Sequence, residues 1–279
     1  MKKNIILVSV LIVIITTSAY LWNLHRNRAQ AENDFTSIEI SSLDVGKADC
    51  NIITLGNKVI VIDTGYSSTT ETVMQELDSK NIKTIDYLII SHFDKDHVGG
   101  AADILNNYEV KNVIEPDYKE TSEEMTAYRD ALTSAGITPN VLHSDLKLSI
   151  GDAEITVMPP KESEYNKDNN YSIIVSLKYM ERSFLFMGDA EKLRLQEFTA
   201  ENSQTYDFVK MPHHGRYNKA SESFVKSISP DYAVITCSSD EMPEEDLLNI
   251  LDTNNVSTYL TVNGKITLTS DGHNLDIQQ

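Results

Sequence analysis

The chain has 279 residues, of which 41% are hydrophobic and 24% charged. Set aside its first thirty or so residues, and roughly 245 remain, enough for one sizeable α/β domain. It carries 24 Lys+Arg against 42 Asp+Glu; four of those bases (Lys2, Lys3, Arg26, Arg28) and no acid precede Glu32, so the remainder holds 20 bases against 42 acids. A field that negative opposes non-specific binding to nucleic acid or anionic lipid. It lowers the expectation of a nucleic-acid substrate without excluding one, because divalent metals screen charge locally.

The chain opens with two lysines and an apolar run from Ile5 to Leu24. Twenty helical residues span roughly 30 Å, the thickness of a bilayer core. Two readings compete: a signal anchor, or a cleaved signal peptide with Ala29-Gln30-Ala31 as its small-x-small site. The length of the run, with Tyr20 and Trp22 near its end, favours the anchor. The N-terminus is then inside and the rest of the chain outside, on the cell membrane or, after cleavage, secreted. Residues 1–31 are this segment and its linker; residues 32–279 are the expected folded domain.

Ser37 to Leu43, Asn51 to Leu55 and Lys58 to Ile62 read as strands, with Gly56-Asn57 as a tight turn. Thr70 to Lys80 reads as a helix. The apolar run Ile85 to Ile90 reads as a buried strand, giving a strand-helix-strand unit. That strand leads into Ser91-His92-Phe93-Asp94-Lys95-Asp96-His97-Val98-Gly99-Gly100, which crowds two histidines and two aspartates into six residues. Strand ends in α/β sheets are where open, concave sites form. Imidazole nitrogens and carboxylate oxygens are the donor set for zinc, manganese or iron, and such crowding without a cation is costly.

Further on, a short helix to Asn106, a strand from Val110 to Glu115 and a helix from Glu123 to Ala135, ended by Gly136, are predicted. Strands follow at Val141 to His143, Leu146 to Ile150 and Glu154 to Met158. Pro159 to Asn170 is a polar loop. Ser172 to Tyr179 and Arg182 to Met187 form an apolar hairpin that ends in Gly188-Asp189, and Glu191 to Ala200 is a helix. Phe208 to Met211 is a strand running into Pro212-His213-His214-Gly215. A helix (Ser221 to Ser229), a strand (Tyr232 to Thr236), a helix (Glu244 to Asp252) and strands at Ser257 to Thr261 and Lys265 to Ser270 finish a second sheet. His143 and His273 read as exposed. Cys50 and Cys237, in no CxxC spacing, read as two separate buried thiols.

The motif His92-x-Asp94-x-Asp96-His97, followed by Gly99-Gly100, resembles the signature of the metallo-β-lactamase superfamily, whose usual form is His-x-His-x-Asp-His. With Asp94 in place of the second histidine it is similar to the metallo-β-lactamase-like domain of ComEC-type competence proteins. Leu43-Asp44-Val45-Gly46-Lys47-Ala48-Asp49-Cys50, Val61-Ile62-Asp63-Thr64-Gly65, Asp168-Asn169-Asn170-Tyr171-Ser172, Phe186-Met187-Gly188-Asp189 and Val209-Lys210-Met211-Pro212-His213-His214-Gly215 agree in type and order. The resemblance implies an α/β fold, a four-layer αβ/βα sandwich. It places Asp63 beneath the metal loop. The wider superfamily has another metal-binding histidine near residues 159–170; here Asp168, Asn169 and Asn170 take its place.

The expected cofactor is two divalent ions, zinc or manganese. His92, Asp94 and Asp189 are assigned to one, and Asp96, His97, Asp189 and His214 to the other. The added aspartate makes the site harder, which favours manganese. Water shared between two cations ionises near neutral pH and supplies the nucleophile. Asp96, His213 and Asn170 are the residues assigned to catalysis. The expected activity is ester hydrolysis, most simply of a phosphodiester, with DNA or a cell-envelope phosphoester as partner and Lys210, Arg216 and Lys219 as a candidate positive stripe. A phosphorylcholine-type or small-molecule phosphoesterase, or a non-catalytic metal-stabilised binding module, are the alternatives.

Overall fold

Strands β1 (Ile38–Ser42), β2 (Asn51–Leu55) and β3 (Lys58–Ile62) form an antiparallel meander. The turn between the last two is tight because Gly56 takes a left-handed φ of 55°. This computed structural model describes residues 37–279. The expected anchor or signal peptide and its linker lie outside the described residues. Among the described residues no helix is long and apolar enough to cross a membrane.

After helix α1 (Thr70–Ser79), the strand expected over Ile85 to Ile90 divides into β4 (Thr84–Ile85) and β5 (Tyr87–Ile89). Asp86 is the reason. Its carboxylate accepts the Lys58 and Lys111 ammonium groups at 2.9 and 3.0 Å and the Val59 N–H at 3.1 Å, turning the chain out of register. The strand expected over Val110 to Glu115 divides likewise into β6 (Glu109–Val110) and β7 (Val113–Pro116), where Asn112 donates to the Asp86 carbonyl at 2.9 Å. Strands β4 and β6 pair as a separate ribbon, while β3, β5 and β7 run parallel.

The metal-loop sequence contains a short helix of its own, α2 (Lys95–Val98), followed by α3 (Ala101–Asn107). Helix α4 (Glu123–Ala135) is capped at both ends: Ser122 Oγ accepts the Met125 N–H, and Gly136 closes it at φ 67°. Strand β8 (Asn140–Leu142) ends that side of the first sheet.

The second sheet begins with the antiparallel strands β9 (Leu146–Ile150), β10 (Ala153–Met158), β11 (Ile174–Tyr179) and β12 (Arg182–Phe186). It turns parallel through β13 (Phe208–Lys210), β14 (Tyr232–Ile235) and β15 (Ser257–Leu260). Helices α5 (Lys192–Glu201), α6 (Ser221–Ile228) and α7 (Glu245–Thr253) connect these parallel strands.

One assignment is corrected. Strand β16 (Ile266–Ser270) does not finish the second sheet; it pairs antiparallel with β1, Ile38 opposite Ser270. Strand β17 (Leu275–Gln278), absent from the sequence reading, extends the same edge. It alternates intermediate and exposed positions, so its sequence carries little hydrophobic signal.

Both parities of the central strands are buried. On the first sheet Ile52, Val59, Val61 and Leu88 join Val73, Ile104 and Leu132 of the helices in one cluster. On the second, Leu185, Val209, Ala233 and Ile235 join Leu195, Phe224 and Leu251. The opposite parities, Ile40, Ile53, Ile60 and Ile62 on one sheet and Leu177, Phe184, Phe186 and Phe208 on the other, are buried too and fill the space between the sheets. The result is the expected αβ/βα sandwich.

Candidate metal centre

The loops that carry the motifs leave the C-terminal ends of the parallel strands: β3 into Asp63, β5 into His92, β12 into Asp189 and β13 into His214. They meet at one edge of the sandwich. Asp96, His97, Asp189 and His214 are all buried and offer ligand atoms within 4.8 Å of one another. His97 Nε2 lies 3.3 Å from Asp189 Oδ1. His214 Nε2 lies 3.2 Å from Asp189 Oδ2 and 3.4 Å from Asp96 Oδ2. The third ring, His92, stands with its centroid 4.0 Å from that of His97, and its Nε2 is 3.6 Å from Asp94 Oδ2. Asp94 is the open side of the cluster, with 40% of its side chain exposed.

Each ring is held from behind. His97 Nδ1 bonds Asp63 Oδ2 at 2.9 Å, and Asp63 also accepts the Ser91 N–H and hydroxyl, both at 2.7 Å. His214 Nδ1 faces the Thr236 carbonyl and hydroxyl at 3.2 and 3.1 Å. His92 Nδ1 meets Ser91 Oγ at 3.1 Å. With the Nδ1 atoms so engaged, the Nε2 atoms turn inward. His92 Nε2, His97 Nε2, His214 Nε2 and Asp189 Oδ1 are buried and have no hydrogen-bond partner. Three of these atoms belong to residues of the group within 4.8 Å, and His92 Nε2 faces Asp94; buried atoms so placed are costly unless a cation takes them, so the donor set fits divalent metal.

The electrostatics agree. Burial alone lowers the His97 and His214 pKa values, but the Asp189 charge and its neighbours overcome burial, holding His97 well above the ordinary range and His214 at about 9. Burial would raise Asp189 and Asp96; instead the histidines hold both below the usual carboxylate range. Without metal, protons occupy the positions that a cation displaces. Asp49, Asp63 and His97 form a second acidic group. That group is already satisfied: Asp49 takes the buried Lys210 ammonium and the Thr236 hydroxyl, and Asp63 takes Ser91 and His97.

Backbone strain aims the adjacent histidines apart. His213 and His214 both sit at left-handed φ values, 48° and 51°, which costs about 1–3 kcal/mol each outside glycine. His214 points into the cluster. His213 points outward, with Nε2 3.1 Å from the Asn169 amide nitrogen and Nδ1 3.6 Å from Glu191 Oε1. Burial holds the His213 pKa below its ordinary value, keeping the ring neutral. The His213 N–H donates to the Gly188 carbonyl at 3.2 Å, and Ser172 Oγ accepts the Asp189 N–H at 3.0 Å, tying the ligand loops together.

Two sequence assignments change. Asn170, expected at the chemistry, is buried, and its Oδ1 accepts the Arg194 N–H at 3.1 Å in the first turn of α5. It caps a helix whose own preceding residue, Glu191, makes no side-chain cap. Asn169 is the asparagine beside His213. The positive stripe also loses two of its three members: Lys210 is buried against Asp49, and exposed Arg216 is bound by Glu241 and Glu244 at 2.8 and 3.5 Å, while Lys219 stays exposed. The sequence held a signal for Asp49 in its Asp-Val-Gly-Lys-Ala-Asp block. It held none for the pairing with Lys210, 161 residues away. Tyr118 went unnoticed as well; its ring stacks between Phe93 and Tyr171, and its oxygen accepts the Phe93 N–H, so it braces the metal loop.

Comparison with known proteins agrees with this geometry. Two curated relatives are the ComE operon protein 3 of Bacillus subtilis, 25% identical over 80% of this chain, and the Recombination protein 2 of Haemophilus influenzae, 30% identical over 71% of it. The chain spans 32% and 24% of those proteins. Among solved structures, the metallo-beta-lactamase fold protein YhfI of Bacillus subtilis superposes with a TM-score of 0.59 at 9% identity, covering 84% of this chain and 100% of that one. The metallo hydrolase Igni18 of Ignicoccus hospitalis gives 0.55 at 15%, covering 84% and 99%. Residues 43–238 match the family model for the metallo-beta-lactamase superfamily, and the chain belongs to that superfamily.

Proposed function

We propose that the chain is a metal-dependent phosphodiesterase. The observation that carries this reading is the meeting of buried ligand atoms from Asp96, His97, Asp189 and His214, all within 4.8 Å of one another, with the buried His92 ring beside them. A divalent cation held there, by Asp96, His97, Asp189 and His214 with His92 and Asp94 beside them, supplies Lewis acidity and a water acidic enough to act near neutral pH. The chain's own residues do the rest. Asp63 and Thr236 fix the ring orientations of His97 and His214. His213, neutral and 23% exposed, stands beside the cluster where it meets a substrate oxygen, with Asn169 and Glu191 setting its orientation. The aspartate-rich donor set is hard, which suits manganese and phosphoryl oxygen better than a histidine-rich set does. The relative named for recombination favours a nucleic-acid phosphodiester. The apolar run Ile5 to Leu24 supports an exported, membrane-tethered or secreted position.

The test is metal content together with hydrolysis of bis-p-nitrophenyl phosphate, using Asp96→Ala/His97→Ala as the control. Manganese- or zinc-dependent turnover that disappears in the control supports the reading. A folded, metal-loaded protein that leaves the diester intact defeats it.

A further inference from the structure

The two loops that carry Asp189 and His214 continue directly into the walls of one cavity. Residues 191–193 form one side of it and residues 217–219 another, with Asn166, Lys167 and Asn170 closing it, and its volume is about 530 Å³. Small-molecule sites fall in the same range, roughly 300–1,000 Å³. The cavity adjoins the candidate centre through Glu191, which lines it and approaches His213 Nδ1 at 3.6 Å.

Its lining carries more cations than anions. Of its charged side chains, Lys167, Lys192 and Lys219 are cations and Glu191 alone is an anion, on a chain where acids outnumber bases 42 to 24. Lys167 is engaged by Glu191 at 2.5 Å. Lys192 and Lys219 are exposed and make no ion pair among the described residues. Only four large hydrophobic side chains are exposed among the described residues, and two of them, Leu193 at 49% and Tyr217 at 39%, line this cavity. An exposed ring, an exposed aliphatic side chain and two free ammonium groups therefore share one cavity beside the candidate centre.

We propose that this cavity is a nucleotide subsite, which seats the base and phosphate flanking the scissile bond. The inference rests on the phosphodiesterase reading above for its place in a reaction, but not for its binding chemistry. Tyr217 offers a flat face for stacking a base, which is sequence-tolerant because every base has a π-face. Lys192 and Lys219 offer charge to a phosphate without a carboxylate to displace first. Asn166 and Asn218 line the same space; Asn218 Oδ1 accepts the Ala220 N–H at 2.9 Å, so its Nδ2 is the group left to meet the polar edge of a base. An acyl chain would answer Leu193 and Tyr217 but leave the charges of Lys192 and Lys219 unmatched.

The experiment uses the full chain in EDTA, so that phosphate cannot bind through metal. Calorimetry compares thymidine 5′-monophosphate with base-free deoxyribose 5-phosphate and with an alkyl phosphate. The nucleotide is expected to bind about tenfold tighter than the sugar phosphate, as stacking of one base implies. Tyr217→Ala removes that difference. Lys192→Ala/Lys219→Ala weakens both ligands alike and flattens their salt dependence. Equal binding of nucleotide and sugar phosphate, tighter binding of the alkyl phosphate, or indifference to Tyr217→Ala overturns the proposal. With manganese restored, Tyr217→Ala is expected to lower kcat/KM more for thymidine 5′-(p-nitrophenyl phosphate) than for methyl p-nitrophenyl phosphate. Failure of the unaltered protein to turn over either ester sinks the phosphodiesterase reading and leaves the binding result standing.

Discussion

Lys210 and Asp49 form an ion pair sealed from solvent beneath the three clustered histidines. Lys210 Nζ also reaches the Gly188 carbonyl at 3.3 Å, and Asp49 Oδ1 lies 3.6 Å from His214 Nδ1. One lysine thus joins the floor of the site to the Asp189 loop. Removing one member of a buried pair leaves the other charge uncompensated, at about 3–5 kcal/mol. Lys210→Met is expected to destabilise by that amount in urea unfolding. Lys210→Met combined with Asp49→Leu is expected to recover part of it, because both charges are then gone. A double variant less stable than the single one would refute this account.

Asp63 acts on the site through His97. Asp63→Asn suits the backbone, since asparagine tolerates the left-handed φ of 60° found there. It removes the charge that holds His97 Nδ1. Losing such a supporting partner lowers metal affinity about 10–100-fold. Competition with a chromophoric chelator reads this directly, and unchanged affinity would show that Asp63 braces the loop alone.

The stability of the metal-free protein and the stabilisation added by metal change with pH in opposite directions. In the metal-free protein the His214 pKa stands at about 9, above its ordinary 6.5. A raised folded pKa stabilises fully below the unfolded value and loses that contribution as pH climbs through the folded one. Metal needs the neutral ring and releases the proton. The metal-free Tm is therefore expected to fall between pH 6.5 and 9 from this group, while the rise in Tm on adding manganese grows over the same window. Thermal scans in EDTA and in manganese across that range make the comparison. A manganese effect that is flat with pH contradicts it.

Gly99-Gly100 is required by close approach. A Cβ on Gly100 would stand 2.5 Å from the Thr64 carbonyl oxygen, and one on Gly99 would stand 2.3 Å from the Lys95 carbonyl oxygen and 2.7 Å from Ser67 N. These are backbone atoms and cannot swing aside. Gly100→Ala is expected to cost about 1–3 kcal/mol, the range for overpacking. It should also weaken metal binding, because Thr64 N–H bonds the His97 carbonyl at 2.8 Å and any shift there moves a ligand.

Asn169 and Asn170 separate chemistry from stability. Asn170→Ala removes the acceptor for the Arg194 N–H and is expected to cost about 1 kcal/mol, as lost helix caps do. Asn169→Ala frees His213 and is expected to lower turnover with little change in Tm. The reverse pattern would restore the assignment of Asn170 to catalysis.

The sequence by itself determined a great deal. Short apolar runs bounded by turn residues marked the central strands, Gly136 marked the end of α4, and clustered His and Asp at strand ends marked the site. These signals are local: each depends on residues within a few positions of one another. The tertiary structure decided what depends on partners distant in the chain. Asp86 split two strands because Lys58 and Lys111 lie beside it only in the fold. Strand β16 crossed to β1 rather than continuing the second sheet. Lys210 went inward because Asp49 awaited it there, although a lysine next to a histidine motif reads as a surface cation. Of two adjacent asparagines, the one that reaches His213 was chosen by a helix terminus at Arg194 that needed the other. In each case the hydrogen-bonding or charge requirement of a group far along the chain overrode the local pattern, because leaving it buried and unpaired costs more than the pattern gains.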